Sequence, residues 1–399
     1  MFSLLRSIFT TLKKLLSFSE AQLKLIKKVV IFSVVGCIAA SGGSFLYFKV
    51  REHQMAIKKR LADNPNTVTT ILPIDIDAHR AIAARYLQTG LPEKAIPHLE
   101  RIHALQSRDL SITGDLAFAS LEAGEYRSAL EYYDALLAAM PADSITPAQC
   151  AQRGAALFYL NKAEDSRAAL EECVALHPDN AQAYCFLGQI EANRALPSDK
   201  ALEYLNKSIA LDSTYTEAWY QLGRYYMQVK VYPKARELFQ TAIAINPFHS
   251  KSHSRLGMVY YYLDYPELAA KSYQTALVLN PDDFNTRYNL GELLYGVIGD
   301  TVGALKEFKQ AIALNPKLYE AAFKIGLICM KNNMAKEAIG YFEQALGVAP
   351  EDVRILLQCA VAYEKLDLKD EAVRLYRGIL AIDELNSIAR QKLKLLGAS

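Results

Sequence analysis

The sequence lacks the short motifs that mark most enzyme active sites. It has no GxxxxGKS/T phosphate loop, no GxGxxG dinucleotide fingerprint, no HExxH zinc pair and no GxSxG nucleophile elbow. These absences argue against the common nucleotide-dependent enzymes, zinc proteases and serine hydrolases. We therefore predict no catalytic residues, no cofactor and no enzymatic activity.

Glycine and proline are sparse, at 19 and 14 of 399 residues, and no low-complexity tract is present. A chain of this length usually folds as two or three globular domains. Here the composition marks no linker at which such domains would separate. The organisation of the chain has to be read from its periodicity instead.

Cysteine occurs six times, but in no CxxC pair and with no zinc-ligand spacing. The cysteines beyond residue 75 fall on apolar helical positions: Cys150, Cys173, Cys185, Cys329 and Cys359. We expect them to be small core residues, and free thiols favour a reducing compartment. His249 and His253 lie four residues apart without a carboxylate or a third ligand, so we predict no metal site.

A basic stripe is also absent from most of the chain. Residues 1–75 contain eleven Lys and Arg against four Asp and Glu, whereas residues 76–399 contain 34 against 39. An acidic segment without a basic surface binds a phosphate backbone poorly, so we predict no nucleic-acid binding. The positive charge is concentrated at the end where anionic lipid headgroups would attract it.

The most regular pattern runs from Glu217 to Pro247. Its first half places apolar residues at i, i+3, i+4 and i+7, which is typical of one helix face: Trp219, Leu222, Gly223 and Tyr226. After a break near Pro233, a second helical pattern follows and ends at Pro247: Ala235, Phe239 and Ala242. Gly223 is small enough for two helices to cross there, and Phe239 is large enough to fill the space beside the crossing.

This stretch resembles the tetratricopeptide repeat, whose pattern is W-x2-L-G-x2-Y, then A-x3-F, then P, within 34 residues. About nine copies run from Ile76 to roughly Leu385, and one carries an extra residue near Gly299. The resemblance implies an all-α fold. We expect a superhelical solenoid of about nine helix-turn-helix repeats over residues 76–386 and a capping helix over residues 387–399.

Residues 1–28 are apolar and basic. Leu5, Ile8, Phe9 and Leu12 make a helical stripe, which predicts a basic amphipathic helix lying in a membrane interface. An unstructured segment that only carries positive charge fits the same residues.

Residues 29–48 contain no charge and are long enough to cross about 30 Å of hydrocarbon as a helix. We predict an uncleaved transmembrane helix here, followed by a linker over residues 49–75. The segment before it is too long for a cleavable signal peptide. The alternative is a bacterial lipoprotein acylated at Cys37, although the apolar run continues well past that residue.

Small residues recur every four positions in the predicted span. Such spacing lets helices approach closely in lipid. We therefore predict self-association, or packing against a partner helix, through three of these residues: Gly36, Ala40 and Gly43.

The orientation of the span follows from the basic residues that flank it. Six Lys and Arg precede it and five follow it up to Arg60, so the positive-inside rule leans slightly toward a cytoplasmic N-terminus. This orientation predicts a single-pass protein of a bacterial inner membrane with the repeats in the periplasm. The free thiols expected above favour the opposite side, and the sequence leaves both open.

In the resembled family, the first helix of each hairpin lines an inner groove. Ten residues on this side are predicted to bind a protein or peptide partner: Tyr220, Arg224, Met227, Lys251, Arg255, Met258, Tyr261, Tyr288, Glu292 and Phe323. Aromatic, Met and Arg side chains carry much of the binding energy at interfaces. Some members grip a C-terminal carboxylate through a Lys/Asn clamp. Lys251 and Arg255 match part of it, whereas Gln189 and Gln221 replace Asn and Cys185 replaces Lys.

Three cations in this otherwise acidic solenoid, Arg224, Lys251 and Arg255, predict a ligand with an acidic segment or a free carboxylate. The alternative is that they pair with nearby carboxylates and bind nothing: Glu217, Glu237 and Glu292.

Two classes of function fit these features. The first is a membrane-anchored scaffold or adaptor that docks a peptide or a partner subunit of a bacterial envelope assembly. The second is a structural subunit of a membrane complex, held through the transmembrane segment. A mitochondrial outer-membrane receptor with cytosolic repeats has a similar layout.

Overall fold

The computed structural model describes residues 76–194 and 198–398. Within these ranges the chain forms nineteen α-helices, a 3-10 helix, a π-helix and no strand. This confirms the predicted all-α fold. The predicted amphipathic segment, transmembrane helix with its packing residues, Cys37 and linker lie outside the described residues. Among the described helices, none has the length and apolar character needed to span a bilayer.

The helices follow one another in pairs joined by short turns. Their bounds are α1 Ile76–Gln88, α2 Pro92–Leu105, α3 Leu110–Glu122, α4 Tyr126–Ala139, α5 Pro147–Tyr159, α6 Ala163–Leu176, α7 Ala181–Ala192, α8 Asp199–Leu211, α9 Thr216–Gln228, α10 Tyr232–Ile245, α11 Ser250–Tyr262, α12 Pro266–Leu279, α13 Phe284–Leu293, α14 Thr301–Leu314, α15 Tyr319–Lys331, α16 Ala335–Leu346, α17 Val353–Lys365, α18 Lys369–Ile382 and α19 Ser387–Leu395. The 3-10 helix Ala142–Ser144 precedes α5. In the described part of the chain, α1 to α18 make nine consecutive pairs.

Each pair forms a hairpin, and the hairpins are counted from α1 with α2, where the rings of Tyr86 and His98 lie 6.0 Å apart. From α3 onward, each odd-numbered helix packs against the even-numbered helix that follows it. We call these the first and second helix of a hairpin. Each second helix also packs against the next first helix, and α19 packs against α18. Neighbouring hairpins therefore bury one another's apolar faces in chain order, as expected of a repeat protein.

The crossing inside a hairpin is made by a glycine on the first helix and a large side chain on the second. A Cβ atom on Gly223 would lie 2.7 Å from the ring of Phe239, which is fully buried. The same arrangement recurs in later hairpins: Gly257 with Tyr273, Gly291 with Phe308, and Gly326 with Phe342. The two motif residues that define the repeat in sequence are thus the pair that sets the closest approach of its helices.

Short polar residues start many first helices and turn the chain inside hairpins. Side chains accept hydrogen bonds from first-turn backbone amides at Asp109, Asn180, Asp283, Asp352 and Asn386. The turn between first and second helix contains a left-handed residue with φ between 57° and 62° at Asn161, Lys230, Asp264, Asn333 and Asp367. Four of these five are Asn or Asp, which tolerate this conformation better than other non-glycine residues.

The extra residue near Gly299 is accommodated by a π-helix. Helix α13 ends at Leu293, and Leu294–Ile298 continue it with wider turns. Gly299 then adopts φ +83°, a left-handed conformation that suits glycine. The irregularity stays local, because Gly326 and Phe342 of the next hairpin keep the usual crossing.

The structure pairs two of the cysteines. Cys150 on α5 and Cys173 on α6 form a disulfide, with their Cα atoms 5.6 Å apart. The expectation of free thiols is wrong here, because the third hairpin brings together residues that lie 23 positions apart in the chain. Cys185, Cys329 and Cys359 are free and buried.

Candidate functional site

The predicted groove residues lie on the first helices of four consecutive hairpins, α9, α11, α13 and α15. Helix α9 contacts α11, and α11 contacts α13. Lys324 on α15 reaches α13, where its Nζ lies 2.7 Å from Oε2 of Glu292. These helices therefore present neighbouring surfaces, and we call the side that carries the ten predicted residues the groove face.

Three aromatic residues of the groove face also belong to the core. Tyr220, Tyr288 and Phe323 occupy equivalent positions in their helices. Their rings pack on the second helix of the same hairpin, with centroids 5.8, 5.7 and 5.9 Å from three phenylalanines: Phe239, Phe308 and Phe342. Tyr220 is only 6% exposed. These rings support the wall of the groove face as well as offering part of its surface.

None of the three cations of the groove face forms an ion pair among the described residues, although the charge of Lys251 acts on the carboxylate of Glu217. Arg224 Nη1 donates to Oε1 of Gln221 at 2.8 Å, and Arg255 Nη1 approaches the sulfur of Met258 at 3.9 Å. Lys251 is exposed. Two of the three carboxylates proposed to neutralise them are engaged elsewhere, because Glu237 pairs with Lys234 and Glu292 pairs with Lys324.

Glu217, at the start of α9, links that helix to the turn just before α11. Its carboxylate accepts a hydrogen bond from Nε2 of Gln221 and lies 3.6 Å from Nε2 of His249. Burial alone would raise the pKa of Glu217, but the hydrogen bonds from His249 and Gln221 and the charge of Lys251 outweigh it and hold the pKa below its ordinary value. Glu217 therefore stays ionised beside the cations without forming an ion pair with them.

The remaining groove residues are less alike. Met227 and Met258 are half-buried and pack against core clusters. Tyr261 is 45% exposed and lies at the end of α11, where it lines a separate pocket with Tyr262, Asp264, Pro266 and Val297. The structure thus places the cations on two contacting helices, α9 and α11, and places Tyr261 at the end of α11.

The clamp-like residues are occupied by internal contacts. Gln189 is buried and its Nε2 lies 3.6 Å from the sulfur of Cys185, whose pKa is raised by burial. Gln221 is buried between Glu217 and Arg224. Neither amide is free to take the role that Asn has in the family clamp.

The two histidines bond to different groups. His249 Nδ1 lies 2.7 Å from Oγ of Ser252, and His253 Nε2 lies 3.0 Å from the carbonyl of Pro247. Across the ranges that the structure describes, no group of three or more His, Cys, Asp or Glu side chains is arranged to hold a metal ion.

Sequence reasoning missed a buried ion cluster on α7. The Glu191 side chain is 4% exposed, and its two carboxylate oxygens lie 3.1 Å from Arg167 Nη2 and 3.3 Å from Arg194 Nε. Ser198 donates a third contact at 3.0 Å. The signal was present in the sequence, because Glu191 stands three residues after Gly188, where the repeat pattern has Tyr.

Comparison with known proteins agrees with this architecture. Family models of the tetratricopeptide repeat match residues 152–214, 216–249, 250–283 and 330–395. The chain is also 31% identical over 72 residues to the uncharacterized protein ycf37 of Cyanophora paradoxa. These 72 residues are 18% of this chain and 42% of that protein. The chain therefore matches less than half the length of this curated relative.

Two solved structures share the fold over most of the chain. The APC/C hetero-tetramer Cut9-Hcn1 is 20% identical over 76% of this chain and 59% of its own, with a TM-score of 0.54. The human IFIT1 dimer with PPP-AAAA is 17% identical over 85% of this chain and 88% of its own, with a TM-score of 0.52. At these identities the likeness concerns the fold alone. The repeat matches and the stacked hairpins show that this chain contains tetratricopeptide repeats.

Proposed function

We propose that this protein is a membrane-anchored scaffold that docks a peptide or partner subunit of a bacterial envelope assembly on its groove face. The repeats support the scaffold role, because stacked hairpins build an extended surface for protein–protein interaction. The observation that carries the proposal is the set of three cations on α9 and α11. They form no ion pair in the described part of the chain, although residues 76–399 are acidic overall.

The chemistry of the groove face indicates the kind of ligand. Arg224, Lys251 and Arg255 would attract an acidic segment or a free carboxylate. Half-buried Met227 and Met258 lie on the same helices and offer adaptable apolar contacts. An acidic peptide with interspersed apolar side chains would satisfy both features.

The disulfide supports a location for the repeats outside the cytoplasm. Disulfides persist in oxidising compartments such as the bacterial periplasm and are rare in the cytosol. The Cys150–Cys173 pair therefore favours an inner-membrane anchor with periplasmic repeats over a receptor whose repeats face the cytosol. This agrees with the slight lean of the basic residues that flank the predicted span.

A pull-down distinguishes docking from assembly through the span. The full chain and a fragment of residues 76–399 would be immobilised separately and exposed to solubilised envelope extract. Docking on the repeats predicts that both baits retain the same partner. A structural subunit held by its membrane segment predicts that the fragment loses it.

The anchor has its own test. Carbonate extraction should leave the protein in the membrane pellet, and mass spectrometry should recover the N-terminal peptide intact. A mature chain that begins at a lipid-modified Cys37 would show that the lipoprotein alternative is correct.

A further inference from the structure

Two equivalent pockets lie beside the turns of different hairpins. The first, which we call the tyrosine pocket, is lined by Tyr261, Tyr262, Asp264, Pro266 and Val297, with a volume of about 280 Å³. Val297 comes from the π-helix of the following hairpin. The pocket therefore opens between two adjacent hairpins.

The second pocket, which we call the arginine pocket, lies at the turn between α5 and α6. It is lined by Phe158, Tyr159, Asn161, Ala163, Glu164, Arg167, Ile190, Asn193 and Arg194. Phe158 and Tyr159 occupy the same helix end as Tyr261 and Tyr262. Asn161 and Asp264 are the left-handed turn residues of their hairpins, with φ 59° and 61°. The two pockets are thus the same site in two copies of the repeat.

In the arginine pocket the chain supplies its own guanidinium groups. Arg167 and Arg194 line the pocket together with aromatic residues, and both pair with the buried carboxylate of Glu191. This copy of the site therefore combines aromatic rings, guanidinium groups and the lining carboxylate of Glu164.

In the tyrosine pocket the rings and the carboxylate are present without a cation. Tyr261 and Tyr262 are 45% and 51% exposed. Tyr232 stacks under Tyr262 with ring centroids 4.7 Å apart, which holds that ring in place. Asp264 is exposed, and its carboxylate has no hydrogen-bond or ion-pair partner within the described ranges.

We propose that the tyrosine pocket binds the guanidinium group of an arginine side chain in a partner polypeptide. A planar guanidinium stacks on a tyrosine ring, and Asp264 supplies the opposite charge. The compact ammonium of lysine lacks the planar face, and an acidic side chain would be repelled. The site is distinct from the cations of the groove face and shares only Tyr261 with that face, so either site can fail without the other.

Saturation-transfer NMR on the full chain tests this directly. The probe is acetyl-Gly-Arg-Gly-amide, and the matched control peptide carries citrulline, which has the shape of arginine without its charge. We expect saturation of the arginine methylene protons to be roughly threefold stronger than that of citrulline, the ratio expected of an exposed ion pair. Equal saturation of the two peptides would overturn the proposal.

Variants with matched controls locate the binding. Asp264→Asn removes the charge while keeping a residue that tolerates the left-handed turn, and we expect roughly threefold less saturation of the arginine peptide. Asp367→Asn makes the same change at the equivalent turn of the ninth hairpin and should have no effect. An Asp264→Asn variant that keeps wild-type saturation would refute the site.

The ring is tested separately. Tyr262→Leu should reduce the signal by a similar factor, roughly threefold, whereas Tyr159→Leu in the equivalent pocket should leave it unchanged. Circular dichroism would verify that each variant is folded. If Tyr262→Leu unfolds the protein, the Asp264→Asn comparison still decides the outcome, because it leaves all apolar packing intact.

Discussion

The third hairpin, α5 with α6, and the fifth hairpin, α9 with α10, share the same crossing but fill it differently. In the fifth, the ring of Phe239 lies under Gly223. In the third, the smaller Leu170 lies under Gly154, and Ser166 donates a 2.7 Å hydrogen bond to the Gly154 carbonyl. The third hairpin also carries the disulfide. Both hairpins therefore need a glycine on the first helix. The third hairpin has a smaller apolar side chain at the crossing and adds a hydrogen bond and a disulfide between its two helices.

The same contrast extends to charge. Around the third and fourth hairpins, Arg167 and Arg194 both pair with buried Glu191, and Arg167 also lies 3.6 Å from Glu164. On the fifth and sixth, Arg224, Lys251 and Arg255 have no such partner in the described residues. The first region uses its cations to hold hairpins together, whereas the second leaves them available to a ligand.

The largest expected effect is on the aromatic crossing. Phe239→Ala should lower the free energy of unfolding by about 3–5 kcal/mol, because a fully buried ring leaves a cavity. Leu170→Ala should cost less, about 2–3 kcal/mol, because less volume is removed and the disulfide still joins the helices. Urea unfolding followed by circular dichroism measures both. Equal losses would contradict the idea that the two hairpins rely on different links.

Next in size is the disulfide. Reduction should lower stability by about 3 kcal/mol, the effect expected of a loop of this length. Thermal unfolding with and without dithiothreitol would show the change. The Cys150→Ala/Cys173→Ala double variant should not respond to the reductant, and Cys185→Ala should respond like the wild type. If the reductant left the stability of the wild-type chain unchanged, the disulfide would not be a stabilising link of the third hairpin.

The smallest effect concerns acid. Because the pKa of Glu217 is lowered in the folded state, its ionised form stabilises the fold above the unfolded-state pKa, and this contribution disappears as the pH falls through the folded-state pKa. We expect this contribution to the free energy of unfolding to be about 1 kcal/mol or less, because the Glu217 carboxylate is partly exposed. Urea midpoints measured from neutral pH into acid should converge for wild type and Glu217→Gln. If the two urea midpoints differed by the same amount at all pH values, the substitution would act through packing and not through the charge of Glu217.

The sequence was sufficient to predict the hairpins of the later repeats. Gly223 and Phe239 are part of the repeat motif, and the same two residues form the crossing of the two helices. The motif therefore predicts the crossing directly. The extra residue near Gly299 was visible too, but its accommodation as a π-helix depends on how backbone hydrogen bonds redistribute over the preceding turn. That redistribution leaves no mark in residue type.

The candidate site was harder to predict, because one position can serve two roles. Tyr220 has the spacing of a groove residue, yet its ring packs on Phe239 and His249. The disulfide was missed because no local motif links Cys150 to Cys173. The two cysteines meet only because they lie on the facing sides of two packed helices. Charge pairing depends in the same way on contacts between hairpins, as Lys324 and Glu292 show.

The central claim is that the unpaired cations of the groove face bind an acidic ligand. The most direct measurement is the affinity of the full chain for a labelled peptide of alternating Glu and Leu, by fluorescence anisotropy. Arg224→Ala and Lys251→Ala should each weaken binding by about 1–2 kcal/mol, with melting temperature unchanged. Arg236→Ala, which removes a cation from the second helix α10, should leave binding intact. An Arg224→Ala/Lys251→Ala double variant that folds normally and binds the peptide with wild-type affinity would contradict the account.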